Sequence, residues 1–190
     1  MRPSARRFTR AAFGAYQTLI YNKGALVLRM LHFLLSDPST GEDKAFFVMM
    51  KDFVERHRDG VASTDDFRAV ANEHFTKSPI GIRYRLTDLN WFFNQWVYST
   101  ELPSFAILYT IEDQPDGGVI VSGTITQNDA KDGWFMPLPV GFTLGGNRFA
   151  NGTVADYGAS TPFKIKLPTR PTKVELDPYR WVLSEKTETK

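Results

Sequence analysis

Three histidines, His32, His57 and His74, are the only imidazoles in the chain. Together with 21 Asp and Glu side chains they are the residues that would have to supply a metal centre or a general base. Their spacing argues against a metal. No two of them stand four residues apart, the separation that sets two imidazoles on one face of a helix. Each falls on a different predicted helix, and His32 and His74 fall on apolar stripes, where a hydrogen-bonded core histidine is the simpler reading. The chain has no cysteine, which excludes a thiolate zinc site, an iron-sulfur cluster, a disulfide framework and a cysteine nucleophile. No serine sits in a nucleophile elbow and no glycine-rich phosphate loop opens a helix. Asn151-Gly152-Thr153 matches a glycosylation acceptor, but with glycine at its centre it reads as a turn. The residues of these 190 positions assemble no complete catalytic constellation.

Around them the composition is that of an ordinary globular chain, with 42% hydrophobic and 23% charged residues. Fifteen phenylalanines promise a well-filled core. The 23 Lys and Arg against 21 Asp and Glu leave a formal charge of +2, which gives no electrostatic case for a nucleic-acid or membrane-surface partner. Arg2, Arg6, Arg7 and Arg10 crowd the first ten residues. The stretch after them has neither an unbroken apolar run nor a small-residue cleavage site, so it reads as a frayed or linker-like start rather than a signal peptide. The longest apolar run, residues 24–35, is broken by Arg29 and His32 and falls short of the roughly 20 residues that span a bilayer. No transmembrane segment is expected, and the absence of cysteine fits either redox compartment.

The elements that would position any site divide near residue 103. Helical periodicity governs the first part. One helix is expected from Ile20 to Leu35, apolar nearly all round and therefore buried on nearly every side. A second is expected from Gly41 to Arg58. A third opens at Ser63, with Asp66 three residues on as its capping partner. A fourth runs from Thr87 with the aromatic stripe Phe92, Phe93 and Trp96. After Pro103 the pattern changes to short β-rich runs at 105–111, 118–127, 139–144, 149–156, 161–167 and 172–176, parted by the turns Asp116-Gly117-Gly118 and Gly145-Gly146-Asn147. The tail from Ser184 to Lys190 is polar and expected to fray. The fold class is α+β, a helical region over 1–102 followed by an antiparallel β-sandwich over 103–190.

Four segments, in order, resemble the zinc aminopeptidases typified by aminopeptidase N. The first is Tyr16-Gln17-Thr18-Leu19-Ile20-Tyr21-Asn22-Lys23-Gly24-Ala25-Leu26-Val27-Leu28-Arg29-Met30-Leu31, similar to the Tyr-x-Lys-Gly helix start of that family. Ala62-Ser63-Thr64-Asp65-Asp66-Phe67 resembles the helix that follows, and Leu89-Asn90-Trp91-Phe92-Phe93-Asn94-Gln95-Trp96 the closing helix. Lys173-Val174-Glu175-Leu176-Asp177-Pro178-Tyr179-Arg180-Trp181-Val182-Leu183 resembles the last strand of the adjoining β-sandwich. The likeness implies that the helices are part of a thermolysin-like catalytic domain. It also implies that Tyr21, otherwise a partly buried aromatic at a helix start, hydrogen-bonds the oxyanion of the tetrahedral intermediate.

The family's zinc motif His-Glu-x-x-His, its downstream glutamate and its Gly-x-Met-Glu-Asn segment do not occur in these residues. The chain is therefore expected to be a C-terminal portion of a zinc aminopeptidase, inactive by itself, with no metal or cofactor of its own and zinc only in the parent enzyme. Its partners would be the remainder of that peptidase and, in the parent, a peptide substrate. An exposed helical face, left where the zinc-bearing half would pack, could favour self-association. The alternative is a non-catalytic helical and β-sandwich module that binds or scaffolds. A basic-arm nucleic-acid binder would rest on four arginines alone.

Overall fold

A computed structural model describes residues 21–115 and 117–189. The arginines at 2, 6, 7 and 10, the expected frayed start, the Tyr16 to Ile20 end of the first resembling segment, Asp116 of the first turn and Lys190 lie outside the described residues. Helices α1 (Gly24–Leu35), α2 (Lys44–Arg56), α3 (Thr64–Phe75), α4 (Pro79–Tyr84) and α5 (Asn90–Phe92) come first, α5 running on as a π-helix over Phe93–Val97. Strands β1 (Ser104–Asp113), β2 (Val119–Asn128), β3 (Phe135–Leu144), β4 (Arg148–Tyr157), β5 (Ser160–Leu167), β6 (Lys173–Leu176) and β7 (Lys186–Thr189) follow. The class is α+β, with the change from helix to strand between Val97 and Ser104.

The strands form two sheets, ordered β5-β2-β1-β7 and β4-β3-β6. Residues 136, 138, 140 and 142 of β3 face the first sheet, and the Ile165 side chain of β5 comes to within 3.0 Å of where a side chain on Gly152, the partner of Val140, would begin. The odd residues face the helices, where Phe135 meets Trp91 edge-on at 4.7 Å between ring centroids. β3 is thus covered on both faces, which is why it reads as a nearly continuous apolar run rather than an alternating one. It carries Pro137 and Pro139 at the centre of its sheet, where a missing N–H should cost a ladder bond. β6 pairs only with residues 140–143, and both prolines turn their nitrogens to the side it leaves vacant. The Pro139 carbonyl on that side accepts from the Asp177 N–H at 2.8 Å.

Several expectations need correction. The sandwich is not wholly antiparallel: the tail expected to fray forms β7, which pairs parallel to β1 with Ser104 opposite Lys186. A row of free backbone groups on the edge of β1 accepts this polar tail whatever its side chains. α1 is not buried nearly all round. Its second half, from Met30 on, is buried apart from His32, while Leu26 is exposed, because neighbouring elements cover only the end toward Leu35. The helix α4, unpredicted, is six residues opened by Ser78, whose Oγ accepts from the Gly81 N–H at 3.1 Å, and by Pro79 in the first turn. Asn151-Gly152-Thr153 lies inside β4 instead of at a turn.

Other expectations stand. Ser63 and Asp66 form a reciprocal capping box at the start of α3. Gly145-Gly146-Asn147 turns between β3 and β4, with Gly146 and Asn147 at φ of 71° and 57°, the left-handed region that glycine and asparagine tolerate. Buried apolar residues of helices and sheets make one contiguous cluster, from Met30 and Phe75 through Trp96 to Val140 and Leu176.

Candidate functional site

Tyr21 begins the described chain in a turn, residues 21–23, wound as π-helix ahead of α1. It is 63% exposed, so the partly buried aromatic expected from its neighbours in sequence is in fact a surface phenol. Two residues on, Lys23 turns inward and its Nζ donates to the Ser99 carbonyl at 2.5 Å. Burial pushes that ammonium below the usual lysine range. From Met30 on, α1 is held by the core.

The histidines are engaged singly. His32 Nε2 lies 3.0 Å from Asp43 Oδ2, with Phe46 and Trp181 against its ring. His74 Nε2 lies 2.8 Å from Asp52 Oδ2. His57 Nδ1–H donates to the Phe53 carbonyl at 3.0 Å. Hydrogen-bonded histidine is thus the correct reading of His32 and His74. Asp52 also accepts from Arg56, which bridges to Glu73. The hydrogen bond from His74, followed by that from Arg56, holds the Asp52 carboxyl below the usual range, and Arg56 does the same for Glu73. This is a surface network tying α2 to α3. Among the described residues no three His, Asp or Glu gather where a metal could be held.

Two buried carboxylates went unnoticed in the sequence. Asp177 is left-handed, at φ 46°, and its oxygens accept from the Trp181 and Val182 N–H groups at 2.8 and 2.9 Å. Burial outweighs those bonds and raises its pKa. The loop it shapes is clamped to α1 by Arg29, which donates to the carbonyls of Tyr179 and Arg180 and lies 4.6 Å from the Trp181 ring centroid. Asp156 on β4 faces the sandwich interior opposite Met136, is 0% exposed, and neither oxygen has a hydrogen-bond partner. Burial lifts its pKa to about 6; the Thr161 hydroxyl, already bonded to the backbone of Tyr157, offsets little of this. An Asp two residues past a buried Val in a strand was the available signal for an inward carboxylate.

Between α1 and the sandwich lies a cavity of about 400 Å³, lined by Arg29, Phe33, Asp37, Pro139 and Trp181 among others. A larger one, about 570 Å³, opens beside Leu26, Asp177 and β7. Tyr21 lines neither. Among the described residues no helix is long and apolar enough to cross a membrane. Compared with protein-family models and with curated protein sequences, the chain matches none.

Proposed function

We propose that this chain is the C-terminal part of a zinc-dependent aminopeptidase: the helices belong to a thermolysin-like catalytic domain, the sheets are the sandwich that follows it, and Tyr21 is the catalytic residue. Hydrolysis of a peptide bond passes through a tetrahedral intermediate whose carbonyl oxygen gains a full negative charge. A phenol suits that oxygen, because it donates a hydrogen bond while remaining neutral itself at neutral pH. Zinc, and with it the attacking water, would be supplied by residues outside these 190, so the chain alone is inactive. The observation that carries the reading is the Tyr-x-Lys-Gly turn. Its tyrosine is presented to solvent, its lysine is drawn inward, and three further resembling segments follow in order.

In the parent enzyme, Tyr21→Phe should leave zinc content and stability unchanged and lower kcat about 100- to 1,000-fold, the usual effect of removing one oxyanion donor. Hydrolysis of an aminoacyl chromogenic substrate measures it. Full kcat in that variant sinks the role of Tyr21, and metal-dependent hydrolysis by this chain alone sinks the assignment as a part. The second reading, a non-catalytic binding or scaffold module, is favoured by Phe47, Val48 and Val54, which stand exposed on α2. The remainder of a peptidase, a partner protein or a second copy would cover such a face. Sedimentation of the chain against concentration tests the self-association it would drive.

A further inference from the structure

The cavity of about 400 Å³ between α1 and the sandwich joins apolar walls to two unlike charges. Phe33 and Trp181 stack with ring centroids 6.1 Å apart on the helix side, and Pro139 of β3 lies on the sheet side. Its volume is that of a small-ligand site. The positive charge is Arg29, which gives Nε and Nη2 to the carbonyls of Arg180 and Tyr179 at 3.1 and 2.7 Å. Those bonds use one edge of the guanidinium and leave the donors of its Nη1–Nη2 edge, a fork that takes a carboxylate in two parallel hydrogen bonds. Among the described residues no carboxylate takes it. Asp177, which feels its charge, has given its oxygens to the Trp181 and Val182 N–H groups, and Asp43 is turned to His32.

The negative charge is Asp37. Its Oδ1 accepts from both the N–H and the hydroxyl of Ser39. These bonds hold the carboxyl below the usual range, so it is ionised at neutral pH, and among the described residues no cation pairs with it. From Arg29 to Leu35, α1 rises about 9 Å; Asp37 lies beyond that end, while a side chain at Arg29 leans toward the other. The two charges are thus further apart than those of a single α-amino acid. Two extended residues span about 7 Å, and a hydrogen bond of about 3 Å at each end extends that reach.

We propose that this cavity binds a short zwitterionic peptide, of dipeptide length and with an aromatic or aliphatic side chain: its carboxylate on Arg29, its ammonium on Asp37, and its side chain against Phe33, Pro139 and Trp181. Tyr21 lines no part of the cavity, and binding here does not depend on the peptidase reading.

Calorimetric titration of this chain with phenylalanylleucine tests it. One site with a Kd of about 0.1 mM is expected, a strength ordinary for a ligand of this size. The N-acetylated peptide lacks the ammonium and the peptide amide lacks the carboxylate; each should bind about tenfold or more weakly. Asp37→Asn keeps an oxygen for the Ser39 bonds. It should weaken the free dipeptide about tenfold and leave the N-acetylated one within about twofold, since that ligand has no ammonium to lose. The backbone amide resonances of Phe33 and Trp181 should shift as the site fills. No binding up to about 10 mM peptide overturns the site. Equal affinity for the free, acetylated and amidated peptides overturns the two charged contacts, and this comparison uses the unaltered chain, so it decides even if Asp37→Asn does not fold. Binding that leaves the Phe33 and Trp181 resonances unmoved overturns the location.

Discussion

Asp156 makes stability depend on pH in a direction opposite to that of the surface carboxylates. Its pKa is about 6 folded against 3.8 for the free side chain. Below pH 3.8 the group is mostly protonated in both states and adds nothing to the pH dependence. Between 3.8 and 6 the unfolded chain ionises while the folded one holds its proton, so stability falls as pH rises. Above 6 both are ionised, and the folded state carries the whole cost of a buried, unpartnered charge. A difference of about 2 pKa units at 1.36 kcal/mol each comes to about 3 kcal/mol, or about 6–12 °C in Tm for a chain of this size. Asp52, Asp66 and Glu73, held low by hydrogen bonds, pull the other way, since their contribution is lost as pH falls. Comparison with Asp156→Asn cancels them. Urea unfolding of both proteins from pH 3.5 to 7.5 should show the variant gaining about 3 kcal/mol on the wild type across that range, whatever constant offset the amide introduces. Parallel pH curves for the two proteins would refute the reasoning and mean that Asp156 is solvated or paired.

The packing makes further predictions. Ser63→Ala removes the hydroxyl that accepts from the Asp66 N–H at the start of α3 and should cost about 1 kcal/mol by urea unfolding. Gly123→Ala would put a Cβ 2.0 Å from the Leu108 carbonyl oxygen in the neighbouring strand; a loss of about 2–3 kcal/mol, or failure to express soluble protein, is expected. Deleting residues 185–190 uncovers the β1 edge that β7 occupies; it should lower stability by about 1–2 kcal/mol and raise aggregation measured by light scattering. A truncated chain as stable and as soluble as the full one would mean that β7 contributes nothing.

Helices α1 to α3 were legible because their signals are local: apolar residues recur at helical spacing, and the α3 cap is a pair three residues apart whose two hydrogen bonds need nothing from the rest of the chain. Most strands were legible for the same reason, and the glycine and asparagine of the β3–β4 turn announce the left-handed backbone they adopt. His32 and His74 could be read as hydrogen-bonded histidines, though they are half-buried at the edge of the core rather than within it, and their partners Asp43 and Asp52 come from other turns and could not be named. What the sequence left undetermined depends on contacts between residues far apart. The polar tail carries no strand signal of its own and becomes β7 because β1 offers a free edge. Prolines at 137 and 139 would forbid a central strand if β6 ran its full length, and only the shortness of β6 admits them. Whether an exposed or an inward face awaits a residue is decided by which layer covers it. Tyr21 therefore came out at the surface, Asp156 came out buried without a partner, and Lys23 found its acceptor in a segment that no local pattern connects to it.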